Sequence, residues 1–223
     1  MITEHHLPVT RSARYYQQGT PTPRTRQVWF VCHGYGQLAA YFSRHFVFLA
    51  EADPDVVVVA PEGLSRFYLQ GTGGRVGASW MTRDDRLAEI DDHVAFLNQL
   101  ADAILGACAA HVQIVVLGFS QGTATVSRWL AQASFHPTHL VLWAGSFPND
   151  LESATAKRLL SGLRLTVVIG SADEYITLVQ AEAHLEQLQQ LGATPQFVTF
   201  EGGHELNRAV LQTLADNPGL PAA

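Results

Sequence analysis

Cysteine occurs only at positions 32 and 108 of the 223 residues. That excludes the disulfide framework that staples small secreted domains. Both lie in apolar surroundings and read as reduced core residues. Basic residues are also few: 14 against 20 acidic ones, for a net charge of -6, with Lys157 the sole lysine of the second half. No Lys/Arg cluster forms a patch, so a nucleic-acid partner is not expected. No apolar run approaches the ~20 residues of a membrane span. The opening MITEHHLPVT lacks the basic-then-apolar pattern of a signal peptide, and the expected location is cytoplasmic. The first strand is not followed by G-x-G-x-x-G, and no P-loop is present, which disfavours a nucleotide-binding protein. Neither H-E-x-x-H nor H-x-x-E-H occurs, so no metal and no cofactor is expected.

What is present is a globular composition, with 47% hydrophobic and 15% charged residues. Residues 1–26 are polar and loop-like, with an edge strand or hairpin within 6–17. From there strand-like runs at 27–34, 55–61, 112–118, 139–145, 164–171 and 194–203 alternate with helix-like spacing at 40–52, 84–107, 122–133, 152–163, 178–192 and 205–217. The run DVVVVAP suits a strand buried on both faces. Alternation of this kind predicts an α/β fold with a mainly parallel central sheet and helices on both faces. No repeat or linker divides the chain, and one domain over 1–223 is the economical reading. Residues 62–80, EGLSRFYLQGTGGRVGASW, read as an aperiodic loop with a flexible, glycine-rich middle.

In such sheets ligands bind beyond the carboxyl ends of the strands. There stand His33-Gly34-Tyr35-Gly36, Pro61-Glu62, Ser120, Ser146, Asp173 and His204. Ser120 lies in G118-F119-S120-Q121-G122, which is G-x-S-x-G between a strand and a helix. A turn that tight leaves no room for side chains at the flanking positions, and it lifts the serine hydroxyl clear of the sheet. The alternative is a plain Gly/Ser turn. A serine hydroxyl needs a base. Among the 10 histidines, His204 alone follows the last strand, with two glycines before it. The acid that orients it is Asp173 or Glu174, and Asp173 is nearer its strand end. Asp173 could instead cap the following helix, but Thr177 is better placed to do so. The backbone N–H of Gln121, at a helix start, and that of Tyr35, between two glycines, could donate to an oxyanion. His33 reads as holding its loop.

These residues resemble the α/β-hydrolase superfamily. The combination of CHGYG, LGFSQG and GGHEL is similar to the small phospholipase/carboxylesterase group, to which the acyl-protein thioesterases belong, over residues 27 to 216. The resemblance implies a serine hydrolase without a large lid domain. It implies Ser120 as nucleophile, His204 as base, Asp173 as acid, and Tyr35 and Gln121 as oxyanion donors. The substrate would be a small-molecule or lipid-like acyl ester or thioester. Three departures concern the substrate side: Thr123 in place of a further glycine after the elbow, Met81-Thr82 after the tryptophan, and DEYIT after the acid. Trp80, Phe67 and Tyr68 are expected to fold over the elbow as the acyl-pocket wall, with Trp80 against the acyl chain; core-capping aromatics are the alternative. A non-catalytic binding protein that kept the motifs is the competing functional reading.

Overall fold

The computed structural model describes residues 1–216. Its central sheet opens with an edge strand, β1 (Tyr15–Gln18), and continues with β2 (Gln27–Cys32). Two short helices follow, α1 (Ala39–Phe42) and α2 (Val47–Ala52), joined by a 3₁₀ turn, and then β3 (Val56–Pro61). Next come β4 (Ser65–Gln70) and β5 (Gly73–Ser79), then the long α3 (Arg86–Leu105). The second half runs β6 (Gln113–Phe119), α4 (Gln121–Leu130), β7 (His139–Trp143), α5 (Ser153–Leu160), β8 (Arg164–Gly170), α6 (Leu178–Gln190), β9 (Gln196–Phe200) and α7 (Arg208–Asp216). The helix expected to reach Asn217 ends, as far as the described residues go, at Asp216.

The large sheet has the order β1-β3-β2-β6-β7-β8-β9. All its pairings are parallel except that of β1, which runs antiparallel to β3. Parallel neighbours need crossover connections, and the helices supply them. The strands alternate between two cores. Val28, Phe30, Val57 and Val59 face α3, α4, α5 and α6. Trp29, Val31, Val56 and Val58 face α1, α2 and α7. That double burial is why β2 and β3 are apolar at nearly every position.

Residues 62–80 are not the loop that their composition suggests. β4 and β5 form a separate antiparallel hairpin, with Ser65 opposite Ser79 and Tyr68 opposite Val76. Its glycines hide the strands from a periodicity reading but serve the turn. Gly71 has φ +57°, a value a tight hairpin turn requires and glycine adopts freely.

Four histidines are buried: His33, His93, His139 and His184. Burial pushes His33, His93 and His184 down to about 4 and His139 to about 3. In the unfolded chain each returns to ~6.5. Between these values the unfolded chain binds more protons, so stability is complete above about pH 6.5 and drains away as pH falls toward 4. Tm should fall by at least about 10 °C from pH 7.5 to pH 5. His184 accepts from the Phe147 N–H at 2.8 Å, a bond a glutamine oxygen can also accept, so His184→Gln should flatten the slope. Calorimetry across that range checks both; a Tm independent of pH would contradict the account.

Candidate active site

β6 ends at Phe119 and α4 starts at Gln121, leaving Ser120 alone in the turn with φ +54° and ψ -116°. This is strained backbone for any residue but glycine. The packing explains why it persists. A Cβ on Gly118 would stand 2.4 Å from the Gly122 carbonyl oxygen, and one on Gly122 would stand 2.3 Å from that of Cys32. The Ser120 N–H donates to Trp143 O at 2.8 Å on the neighbouring strand. Thr123, where a glycine was the expected residue, donates its hydroxyl proton to Ser120 O at 2.7 Å and lies 3.1 Å from Ser146 O. It ties the turn to the loop after β7.

Three side chains from three strand ends meet here. His204 Nε2 lies 2.9 Å from Ser120 Oγ, and His204 Nδ1 lies 2.9 Å from Asp173 Oδ2. The Asp173 side chain is fully buried. Its other oxygen accepts the N–H groups of Tyr175 at 2.8 Å and Ile176 at 2.9 Å. A carboxylate held this way is fixed in rotation and presents one oxygen to the imidazole. Glu174 instead accepts the backbone N–H of His204 at 3.2 Å. Thr177 caps α6 in a reciprocal capping box with Gln180, so Asp173 is free of that task. Phe119 and Tyr175 flank the His204 ring at 5.0 and 4.6 Å between centroids. Tyr175 had no signal in the sequence.

The loop after β2 lies against this turn. A Cβ on Gly34 would be 3.1 Å from the Ser120 Cβ, so the loop comes this close with little to spare. His33 holds the loop: its Nδ1 lies 2.8 Å from Gly34 O, and its Nε2 accepts the Gly63 N–H at 3.0 Å. Accepting at Nε2 requires a neutral ring, which agrees with its depressed pKa. The Gln121 N–H is the first of its helix and has no partner within it. The Gln121 side chain does separate work. Its oxygen accepts the Trp80 N–H at 3.1 Å, and its amide donates to Met81 O at 2.7 Å. Glu62, just after β3, stands beyond a strand end like Ser120 and Asp173, but the sequence gives it no role. Its buried carboxylate accepts from Arg14 Nε at 3.0 Å and from the Ala39 N–H at 3.2 Å, joining the N-terminal segment to the start of α1.

Of the two readings of the aromatics, pocket wall or core, Trp80 fits the core. Trp80 is only 1% exposed and belongs to the core that faces α3. Its indole N–H donates to His33 O at 2.8 Å, and its ring lies 5.0 Å from the His33 ring. An indole this large with a donor to satisfy is more stable beneath the loop than on it. Phe67 lies on Tyr35 at 5.1 Å, beside the loop after β2, while Tyr68 next to it is exposed. Among the described residues one grouping has the makings of a metal site, Glu4, His6 and Asp85. All three are exposed, and none belongs to the arrangement around Ser120.

A family model described as Phospholipase/Carboxylesterase matches residues 19–217. The chain belongs to that family. It is an esterase-type hydrolase of the α/β-hydrolase fold, and an ester is its substrate. No curated protein matches it by sequence. Among solved structures, it is similar to a carboxylesterase from Mesorhizobium loti, at 22% identity and TM-score 0.70, covering 92% of this chain and 95% of that one. It is similar to acyl-protein thioesterase 2 from Zea mays, at 19% identity and TM-score 0.68, covering 93% of this chain and 100% of that one. At such identities these likenesses speak for the fold. No helix among the described residues is long and apolar enough to cross a membrane.

The burial of Trp80 yields a test. Trp80→Ala should cost about 3–5 kcal/mol of stability, as for a large aromatic removed from a core. Its hydrolysis of short and long acyl esters should scale down together. Urea unfolding and a chain-length series on one preparation measure both. Intact stability with an altered chain-length preference would return Trp80 to the pocket wall.

Proposed function

We propose that the chain hydrolyses carboxylic ester or thioester bonds through an acyl-enzyme formed on Ser120. His204 Nε2 takes the Ser120 proton as Oγ bonds to the carbonyl carbon. The carbonyl oxygen becomes an oxyanion beside the N–H groups of Tyr35 and Gln121. The bond to the leaving oxygen or sulfur then breaks, and that atom receives the proton from His204. Water, deprotonated by the same nitrogen, attacks the acyl carbon. The acid leaves, and the proton returns to Ser120. Asp173 holds the tautomer with hydrogen on Nδ1 and stabilises the imidazolium formed at each step. No step calls on a metal or cofactor.

The observation that carries this reading is the alignment of Oγ, imidazole and buried carboxylate through two contacts of 2.9 Å. A fold kept only for binding has no use for a strained serine with a base and an orienting acid behind it. Free Cys32 and Cys108 suit the reducing cytoplasm. Substrates of this reading are small or lipid-like acyl esters and thioesters.

Ser120→Ala should lower kcat by roughly 10⁴ to 10⁶, with His204→Ala nearly as damaging and not additive with it. Asp173→Asn should cost about 10⁴, whereas Glu174→Gln should stay close to wild type. Steady-state kinetics on a p-nitrophenyl ester rank the four. A Ser120→Ala protein that keeps a tenth of the activity, or the two acids in reverse order, would contradict the assignment.

A further inference from the structure

Beside the loop after β2 lies an open groove of about 580 Å³, walled by Leu38, Tyr41, Phe42 and His45 on one side and by Arg75 and Val76 of the hairpin on the other. Two hydrogen bonds hold the walls together. The Gly36 N–H donates to Ala78 O at 2.8 Å, and the Ala78 N–H donates to Gln37 O at 3.0 Å. Gly77 makes this approach possible, because a Cβ there would lie 2.4 Å from Gly36 O. The groove therefore begins one residue from Tyr35. Phe42 in its floor packs on Phe119, the neighbour of Ser120, at 6.1 Å. The groove thus shares Phe42 and the loop after β2 with the surroundings of Ser120.

The charge around the groove is one-sided. Residues 36–46 and 63–80, which build it, contain Arg44, His45, Arg66 and Arg75, and the adjoining carboxylate of Glu62 is buried and held by Arg14, in a chain with net charge -6. Arg66 is drawn toward Glu62, with 3.7 Å between Nη1 and Oε1. Arg44 stacks over the Tyr41 ring at 4.8 Å. Arg75 is exposed and makes no ion pair among the described residues. The lining thus joins apolar surface from Leu38, Phe42 and Val76 to an uncommitted guanidinium, which suits an oxyanion at the end of a short apolar spacer.

Resting on the reading of Ser120 as nucleophile, we infer that the favoured substrates carry an anionic group, a carboxylate, at the end remote from the scissile bond, and that Arg75 selects for it. The reaction is unchanged: the ester takes up water and yields an acid and an alcohol or thiol. Arg75 touches the substrate's charge and not the reacting atoms. The carboxylate could sit on the acyl chain or on the leaving group, and matched substrates separate the two.

The acyl arm compares p-nitrophenyl hydrogen adipate with p-nitrophenyl hexanoate. The leaving-group arm compares 3-carboxy-4-nitrophenyl hexanoate with p-nitrophenyl hexanoate, each rate being corrected for spontaneous hydrolysis. In one arm the wild type should favour the charged ester by about tenfold in kcat/KM, the weight of one charge-assisted contact. The preference should appear mainly in KM and weaken with added salt. Arg75→Gln should bring the ratio to about one, and Arg75→Lys should keep part of it. Arg24→Gln, which changes an arginine in the loop before β2, should leave the ratio as in the wild type. No preference in either arm, or a preference that Arg75→Gln leaves intact, would overturn the inference. Failure of the Ser120 reading looks different: Ser120→Ala would then hydrolyse the neutral ester as the wild type does. Binding of monomethyl adipate and methyl hexanoate to Ser120→Ala, measured by calorimetry, tests the groove without turnover. Tighter binding of the charged ester, lost on Arg75→Gln, supports the inference, and equal binding overturns it.

Discussion

The contact between Gly118, Gly122 and the end of β2 is the constraint on which the site depends. With no Cβ at either glycine, α4 starts against the Cys32 carbonyl, where a methyl group on Gly122 would sit 2.3 Å away. That closeness has two consequences. It forces Ser120 into a backbone conformation that only a rigid frame sustains. It also brings the loop after β2 alongside the helix start, with Gly34 against the Ser120 side chain. The strain at Ser120 and the close approach of that loop thus come from one steric fact. The frame that sustains it is the pair of apolar cores on either face of the sheet.

Outside this contact, the surrounding residues are linked rather than merely adjacent. The Gln121 side chain grips Trp80 and Met81, the Trp80 indole grips His33, and His33 grips Gly34 and Gly63. The hairpin, the loop after β2 and the elbow are therefore joined through short-range bonds between buried and partly buried groups. Such bonds are costly to break because each would leave a buried polar atom unpaired. The hairpin contributes in two ways. The end of β5 leads into this network, and Arg75 and Val76 of the same strand form one wall of the open groove.

The alternation of strands and helices was legible because β2, β3, β6, β7 and β8 are buried on both faces and so nearly uniformly apolar. Ser120, Asp173 and His204 were legible because each follows a strand, and strand ends in a parallel sheet share one edge. The choice of Asp173 over Glu174 came from its nearness to the strand, and the geometry places Asp173 on the imidazole. The hairpin was hidden because its strands carry glycine where the chain turns or touches the neighbouring loop. Trp80 stayed open between pocket wall and core because a tryptophan between a glycine-rich stretch and a helix carries no mark of the side it faces. Glu62, Gln121 and Tyr175 act through partners distant in sequence, and no local pattern points to such pairings.

Family membership supplies the esterase-type chemistry, and the proposed reading assigns its steps to Ser120, His204 and Asp173. Its central claim is that Ser120 alone is activated, and by His204. Reaction with a small fluorophosphonate, followed by intact-mass and peptide-level mass spectrometry, tests this most directly. The account predicts a single adduct on Ser120, formed quickly by the folded protein and not by His204→Ala or by the denatured chain. An adduct at another residue, or a folded wild type no more reactive than His204→Ala, would contradict it.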